Sequence, residues 1–182
     1  MAAEHCISRG HREIGILAED FATYGAGERL RGYKDALSAA GIEINPAWVA
    51  PTMHRKVYDI LARWTSNGVS AILNFSESVS LEVLHILSNI LRLRIGKDIS
   101  VISLEDVSIY QYFSPPQTTV SQPLDELAKL AVQTMLELCD GKSTDGKSKD
   151  GDGDVIDICL PTQLIERDSV AVVRGETALF PG

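Results

Sequence analysis

A small set of side chains has the types and settings to engage a polar small molecule: Glu19, Asp20, Arg29, Ser76, Glu77, Glu105 and Asp106. A guanidinium presents five N–H donors in a fixed fork, and a carboxylate only accepts. Arg29 with Asp20, Glu77 and Glu105, together with the Ser76 hydroxyl, can therefore bracket the vicinal hydroxyls of a sugar or similar polyol. The same carboxylates admit a second chemistry, with Glu77 and Glu105 as the acid/base pair of a small hydrolase, but sequence spacing does not set their separation. Gly25-Ala26-Gly27 ahead of a helix is a weak anion-binding signal. No nucleophile elbow, P-loop or dinucleotide fingerprint occurs, and the four histidines, His5, His11, His54 and His85, stand away from the polar set. No catalytic residue, cofactor or metal site is expected. The aspartate-rich run 140–154 lacks the bidentate Glu that an EF-hand needs at its twelfth position, and reads as a flexible surface loop.

These residues matter together only if the fold gathers them. Glu13–Ala18 (EIGILA), Ser70–Phe75 (SAILNF) and Ile99–Leu104 (ISVISL) are short apolar runs that read as buried strands, and Glu43–Ala50, interrupted by Pro46, as an edge strand. Between them, Glu28–Ala40, Met53–Ser66 and Val79–Arg92 have helical spacing, with Leu30, Tyr33 and Leu37 on one face and Val57, Ile60, Leu61 and Trp64 on another. The wide apolar face of 79–92 fits either a well-buried helix or one shared with a second subunit. Prolines exclude helix from Ser114 to Pro123, and Thr118–Val120 reads as an extended crossover. Pro123 opens a last helix whose buried face would be Leu124, Leu127, Ala128, Ala131, Met135 and Leu138. Val155–Leu160 and Gln163–Glu166 read as closing strands. Alternating strands and helices imply an α/β fold, a doubly wound parallel sheet with helices on both faces. Ligands of such sheets sit at the carboxyl ends of strands, where this polar set falls.

Composition limits the function. In 182 residues, hydrophobic residues make up 45% and charged residues 23%, a normal globular balance. A net charge of −8 repels phosphate and makes the chain alone a poor nucleic-acid binder. Cys6, Cys139 and Cys159 fit neither a zinc site nor a disulfide framework and read as free thiols. The N-terminus has no apolar signal core, and no run approaches the roughly 20 apolar residues that cross a bilayer. The expectation is a cytoplasmic protein without membrane contact.

Longer motifs go further. Gly10-His11-Arg12-Glu13-Ile14-Gly15, Arg29-Leu30-Arg31-Gly32-Tyr33, IGKDISVISLED (95–106), PPQTTVSQP (115–123) and LPTQLIERDS (160–169) follow one another in a single order. Together they resemble successive landmarks of the LacI/GalR transcription regulators, from about His5 to Ser169. The resemblance implies a type I periplasmic-binding-protein-like fold. Residues 1–120 would form the C-terminal lobe, with 1–12 a residual helix and linker from the N-terminal lobe. Residues 121–170 would cross back into the N-terminal lobe, leaving 171–182 as a tail.

On that resemblance the chain is a ligand-sensing and dimerisation module, without the helix-turn-helix headpiece through which the family contacts DNA, and it looks like a fragment or truncated product. Its partners would be a small effector, sugar- or nucleoside-like, and a second copy. The family's effector-contacting Arg falls on Arg29, its Asn-Asp pair on Ser76-Glu77, and its later Asp on Glu105. The last three are departures: Ser is shorter than Asn, and Glu longer than Asp. Trp48 has two readings, a stacking platform for a sugar face and a core residue. An alternative function on the same fold is a solute-binding lobe of a transport system.

Overall fold

The computed structural model describes residues 1–53, 56–139 and 158–173. Loop 140–154, most of tail 171–182, His54 and the first half of the expected strand 155–160 lie outside them; residues 158–160 are not in a strand. The chain divides into two compact units, Met1–Ser121 with Leu164–Gly182, and Gln122–Gln163.

The larger unit begins with helix α1 (Ala2–Ser8) and then alternates β1 (Ile14–Ala18), α2 (Tyr24–Ala39), β2 (Val49–Pro51), α3 (Val57–Ser66), β3 (Ala71–Asn74), α4 (Glu77–His85), β4 (Ser100–Ser103) and β5 (Thr118–Ser121). Helix α5 (Leu124–Cys139) and strand β6 (Gln163–Ile165) follow. The six strands lie in the order β2-β1-β3-β4-β5-β6. The pairs β1–β2, β1–β3, β3–β4 and β4–β5 are all parallel. This is the doubly wound parallel sheet expected from the alternation.

All residues of β1, β3 and β4 are buried, because helices cover both faces of the sheet. Successive side chains point to opposite faces. Leu17, Ile72 and Val101 join one core with Ile60, Leu61 and Trp64 of α3 and Val83 of α4. Ile16, Leu73 and Ile102 join the other with Cys6 of α1 and Tyr33 and Leu37 of α2. Each large side chain buried in this way contributes about 1.5–3 kcal/mol. Gly15 allows a close contact in the core: a Cβ there would run into two ring atoms of Trp64. The indole cannot easily retreat. Its Nε1 donates to the Ala47 carbonyl at 2.8 Å, and it stands edge-on to Trp48, centroids 6.3 Å apart.

Several expected boundaries move. Helix α2 starts at Tyr24, with Thr23 as its N-cap, so Gly25 and Gly27 sit in its first turn and not in a loop. Pro46 opens a 3₁₀ turn, Pro46–Trp48, closed by the Asn45 side chain accepting from Ala47 N at 3.0 Å, and the edge strand shrinks to Val49–Pro51. Helix α3 begins at Val57, four residues after the expected Met53. Helix α4 passes into a π-helical turn, Ile86–Ile90, before Arg92 reverses the chain at φ 58°. In α5 the amphipathic pattern is present, but none of its residues is buried. An apolar helical face is covered only when a second element packs on it, and the unit Gln122–Gln163 has no other described helix.

At the amino ends of the strands a returning segment is strapped across the sheet. Buried His11 places Nδ1 2.9 Å from Ser70 Oγ and Nε2 2.9 Å from Ser100 Oγ and 3.1 Å from the Ala171 carbonyl. Ser169 Oγ donates to the Val101 carbonyl at 2.6 Å and accepts from Thr118 N at 2.8 Å. Arg9 pairs with Glu166 beside this strap. Burial, opposed by the bond to Ala171 and reinforced by Arg9 and His5, holds the His11 pKa below the ordinary histidine value; burial and then Arg9 lower that of His5 as well.

Two consequences are measurable. Gly15→Ala should lower unfolding free energy by about 1–3 kcal/mol in denaturant titration, the cost of overpacking a fixed contact. Wild-type stability would argue that Trp64 is free to move. Both histidines bind protons less readily folded than unfolded, so stability should be full above the unfolded histidine pKa of about 6.5 and fall as pH drops below it. In His11→Gln the absolute stability should be lower and that acid slope shallower; an unchanged slope in Tm between pH 7 and 5 would count against it.

Candidate functional site

The connections from β1 to β2 and from β3 through β4 to β5 run outward in opposite directions, so the strand order reverses between β1 and β3. At such a switch point the flanking crossovers diverge and leave a crevice above the carboxyl ends. The residues that follow β1, β3 and β4 are Glu19-Asp20, Phe75-Ser76 and Leu104-Glu105. They meet at a cavity of about 320 Å³, with Asp20, Arg29, Phe75, Ser76 and Glu105 among its lining residues. Met53, 57% exposed, also lines it.

Arg29 stands in the second turn of α2 and lines this crevice. Its Nη1 donates to the Phe75 carbonyl at 3.1 Å, and its guanidinium lies 5.7 Å from the Phe75 ring centroid. Phe21 in turn packs edge-on to Phe75, with centroids 5.7 Å apart. Glu105 Oε1 lies 3.8 Å from Arg29 Nη1, both side chains being about one-third exposed, so water weakens the pair. The Glu77 backbone N–H, at the start of α4, donates to Glu105 Oε2 at 3.2 Å. Ser78 Oγ donates to Glu19 Oε1 at 2.7 Å, and Asp20 Oδ1 accepts from Ala22 N at 2.9 Å. Ser76 is the N-cap of α4 but makes no capping bond; its hydroxyl is 3.3 Å from that of Ser78.

Five of the eight residues singled out from the sequence, Glu19, Asp20, Arg29, Ser76 and Glu105, therefore line one cavity. Glu77 stands beside it, joined through its backbone, with an exposed side chain. Trp48 is not brought there. It is 8% exposed, packs on Trp64 and donates from Nε1 to Glu13 Oε2 at 2.5 Å, so the core reading replaces the stacking platform. The cause is the 3₁₀ turn, which ends before β2 begins and leaves Trp48 three residues short of that strand's carboxyl end. A hollow of about 560 Å³ beside Trp48, walled by Asn45, Arg63 and Asn67, holds none of the strand-end residues. Asp106 is engaged elsewhere, accepting from Thr119 Oγ1 at 2.7 Å and Arg167 Nη1 at 3.1 Å. Phe75, Met53 and Ser78 were missed. Phe75 looked like the last residue of an apolar strand, and nothing local marks the other two.

Beneath the cavity lies a buried polar group. Ser80 Oγ donates to Asn74 Oδ1, while Asn74 Nδ2, Ser103 Oγ and Tyr110 Oη have no hydrogen-bond partner. Burial pushes the Tyr110 pKa up; the Ser80 and Ser103 hydroxyls nearby oppose this, and the charges of Glu77 and Glu105 add to it. Among the described residues, no group of three or more His, Cys, Asp or Glu is placed to share a metal ion.

The family profile described as a periplasmic binding protein-like domain matches residues 3–170. The ribose operon repressor of Haemophilus influenzae is 35% identical over 141 residues, covering 75% of this chain and 42% of that protein. The HTH-type transcriptional repressor PurR of Vibrio vulnificus is 30% identical over 179 residues, covering 96% of this chain and 50% of that protein. This chain thus spans about half the length of the curated relatives it matches or less. A crystal structure of a LacI family transcriptional regulator from Enterococcus faecium with bound ribose superposes with a TM-score of 0.79 at 22% identity, over 95% of this chain and 62% of that one, a likeness of fold.

The unpartnered polar atoms yield a stability test. Tyr110→Phe should change stability by no more than about 1 kcal/mol, because the buried hydroxyl it deletes makes no well-formed hydrogen bond. Ser80→Ala should cost about 1–3 kcal/mol by leaving Asn74 Oδ1 without its donor. The reverse ranking in thermal or chemical denaturation would refute this account of the cluster.

Proposed function

The chain belongs to the periplasmic binding protein-like domain family, among the LacI/GalR regulators, and from that membership we propose that it is the effector-sensing module of a bacterial transcription regulator. The effector is a small polar molecule, sugar- or nucleoside-like, held at the carboxyl ends of β1, β3 and β4. The observation that carries this reading is the convergence of Asp20, Arg29, Ser76 and Glu105 on one cavity at the topological switch point. Arg29 supplies donors to ligand oxygens, Asp20 and Glu105 accept from hydroxyls, and Ser76 does either. The relatives support sensing over catalysis, since they are transcriptional repressors.

In this reading residues 1–120 are the C-terminal lobe and residues 122–163 belong with the N-terminal lobe, while 164–170, expected with the latter, fall in the larger unit. DNA contact falls to a headpiece outside the 182 residues, in keeping with the net charge of −8. The exposed apolar residues of α5, Leu124, Met135 and Leu138 among them, support a homodimer in which further protein covers that helix. No described helix is long and apolar enough to cross a membrane.

Calorimetric titration with a panel of monosaccharides and nucleosides tests the site. Arg29→Ala should weaken binding of any ligand found by at least about tenfold, the loss expected for charged hydrogen bonds. Tm should fall by no more than a few degrees, since the side chain is one-third exposed. Equal affinities for wild type and variant would refute the assignment.

A further inference from the structure

We propose that the ligand of the strand-end cavity is a small sugar or polyol bearing a protonated amine. This rests on the effector-binding reading above and adds the charge of the ligand. The site itself is given by the cavity and by Arg29; the acidic residues decide only what charge it favours.

Three carboxylates, Glu19, Asp20 and Glu105, line the cavity, and among its described lining residues Arg29 is the one cation. Arg29 is already engaged. Phe75 takes one of its donors through the carbonyl and one face of the guanidinium through its ring, and Glu105 lies 3.8 Å away. A phosphate or carboxylate ligand would have to compete for that guanidinium and would add negative charge beside the three carboxylates.

Each carboxylate is anchored through one oxygen; Glu105 turns its other oxygen to Arg29, and Glu19 and Asp20 keep theirs in reserve. Glu19 is held by Ser78, Asp20 by the Ala22 N–H and Glu105 by the Glu77 N–H. Glu19 Oε2 and Asp20 Oδ2 have no protein donor among the described residues. Anchored acceptors need little reordering on binding, which favours a ligand rich in donors. Hydroxyls would satisfy these acceptors but leave the surplus charge, whereas an ammonium supplies three donors and offsets one carboxylate. Glu77 adds a fourth carboxylate just outside the cavity, and its charge with that of Glu105 already reaches the Tyr110 phenol. The cavity, at about 320 Å³, has room for a monosaccharide.

The test is calorimetry on the 182-residue chain at low salt with matched probes: D-glucosamine against D-glucose, 1-amino-1-deoxy-D-ribitol against ribitol, and D-ribose 5-phosphate against D-ribose. At least one amine should bind about tenfold or more tightly than its neutral parent, the increment for one added charged hydrogen bond, and the phosphate ester more weakly than ribose. The amine preference should shrink at high salt and in Asp20→Asn and Glu19→Gln. Neutral parents bound as tightly as the amines, in an Arg29-dependent way, would overturn this inference and leave the polyol site standing. Tighter binding of the phosphate ester than of ribose would also overturn it. Failure of every probe to bind, with a nucleoside bound in the earlier panel, would overturn this inference and leave the effector site standing; failure of both panels would remove both readings.

Discussion

The parallel pairing of β1 with β3 is the constraint on which the rest of the molecule depends. Its register, Ile14 with Ala71 through Leu17 with Asn74, aligns two strands whose onward connections leave in opposite directions. Helices α1 and α2 pack on one face, and α3 and α4 on the other. Because the crossovers diverge at this pair, a crevice is left beside Ala18 and Phe75. The cavity is thus a consequence of topology. Both cores hold it open, and the close fit of Gly15 against Trp64 is a local measure of how little slack they have.

Within that crevice, backbone and side chain have separate parts. Backbone N–H groups at Ala22 and Glu77, and the hydroxyl of Ser78, fix the carboxylates; the Phe75 carbonyl and ring fix the guanidinium. The acidic residues thereby hold their positions without a full complement of cations. Such an arrangement is stable when the charges stay partly solvated, as Arg29 and Glu105 do, and becomes more strongly interacting when a ligand displaces that water. The opposite end of the sheet is built differently. There His11, Ser70, Ser100 and Ser169 make a neutral, buried network that ties the returning chain to the strands. One rim is closed and bonded, and the other is open and charged, which is the asymmetry expected of a ligand-binding α/β sheet.

Helix α5 differs from both. Leu124, Leu127, Val132, Met135, Leu136 and Leu138 are each 46% or more exposed, too much apolar surface for a helix meant to face water. Its pattern is that of an element designed to be covered. The relatives, about twice as long as this chain, have room for such a cover in the half that is not matched here.

Much of this was legible locally. Apolar runs of β length, helical spacing between them and polar residues directly after each run are properties of neighbouring residues, so the strands, the winding and the placing of Asp20, Arg29, Ser76 and Glu105 could be read from the chain alone. The resemblance to LacI/GalR regulators was carried by motifs in order, which are also local. Other features depend on contacts that sequence distance hides. Trp48 turned into the core because Asn45 and Pro46 set a 3₁₀ turn that delivers its indole to Glu13 and Trp64. Asp106, beside Glu105 in sequence, was drawn off by Arg167, 61 residues away. The expected buried face of α5 was lost because periodicity specifies which side of a helix is apolar and not whether anything lies against it. Sequence alone thus determined the kinds of elements and the chemistry at their ends. Only tertiary structure decided which of those groups share one space, since that follows from register, strand order and packing between residues far apart along the chain.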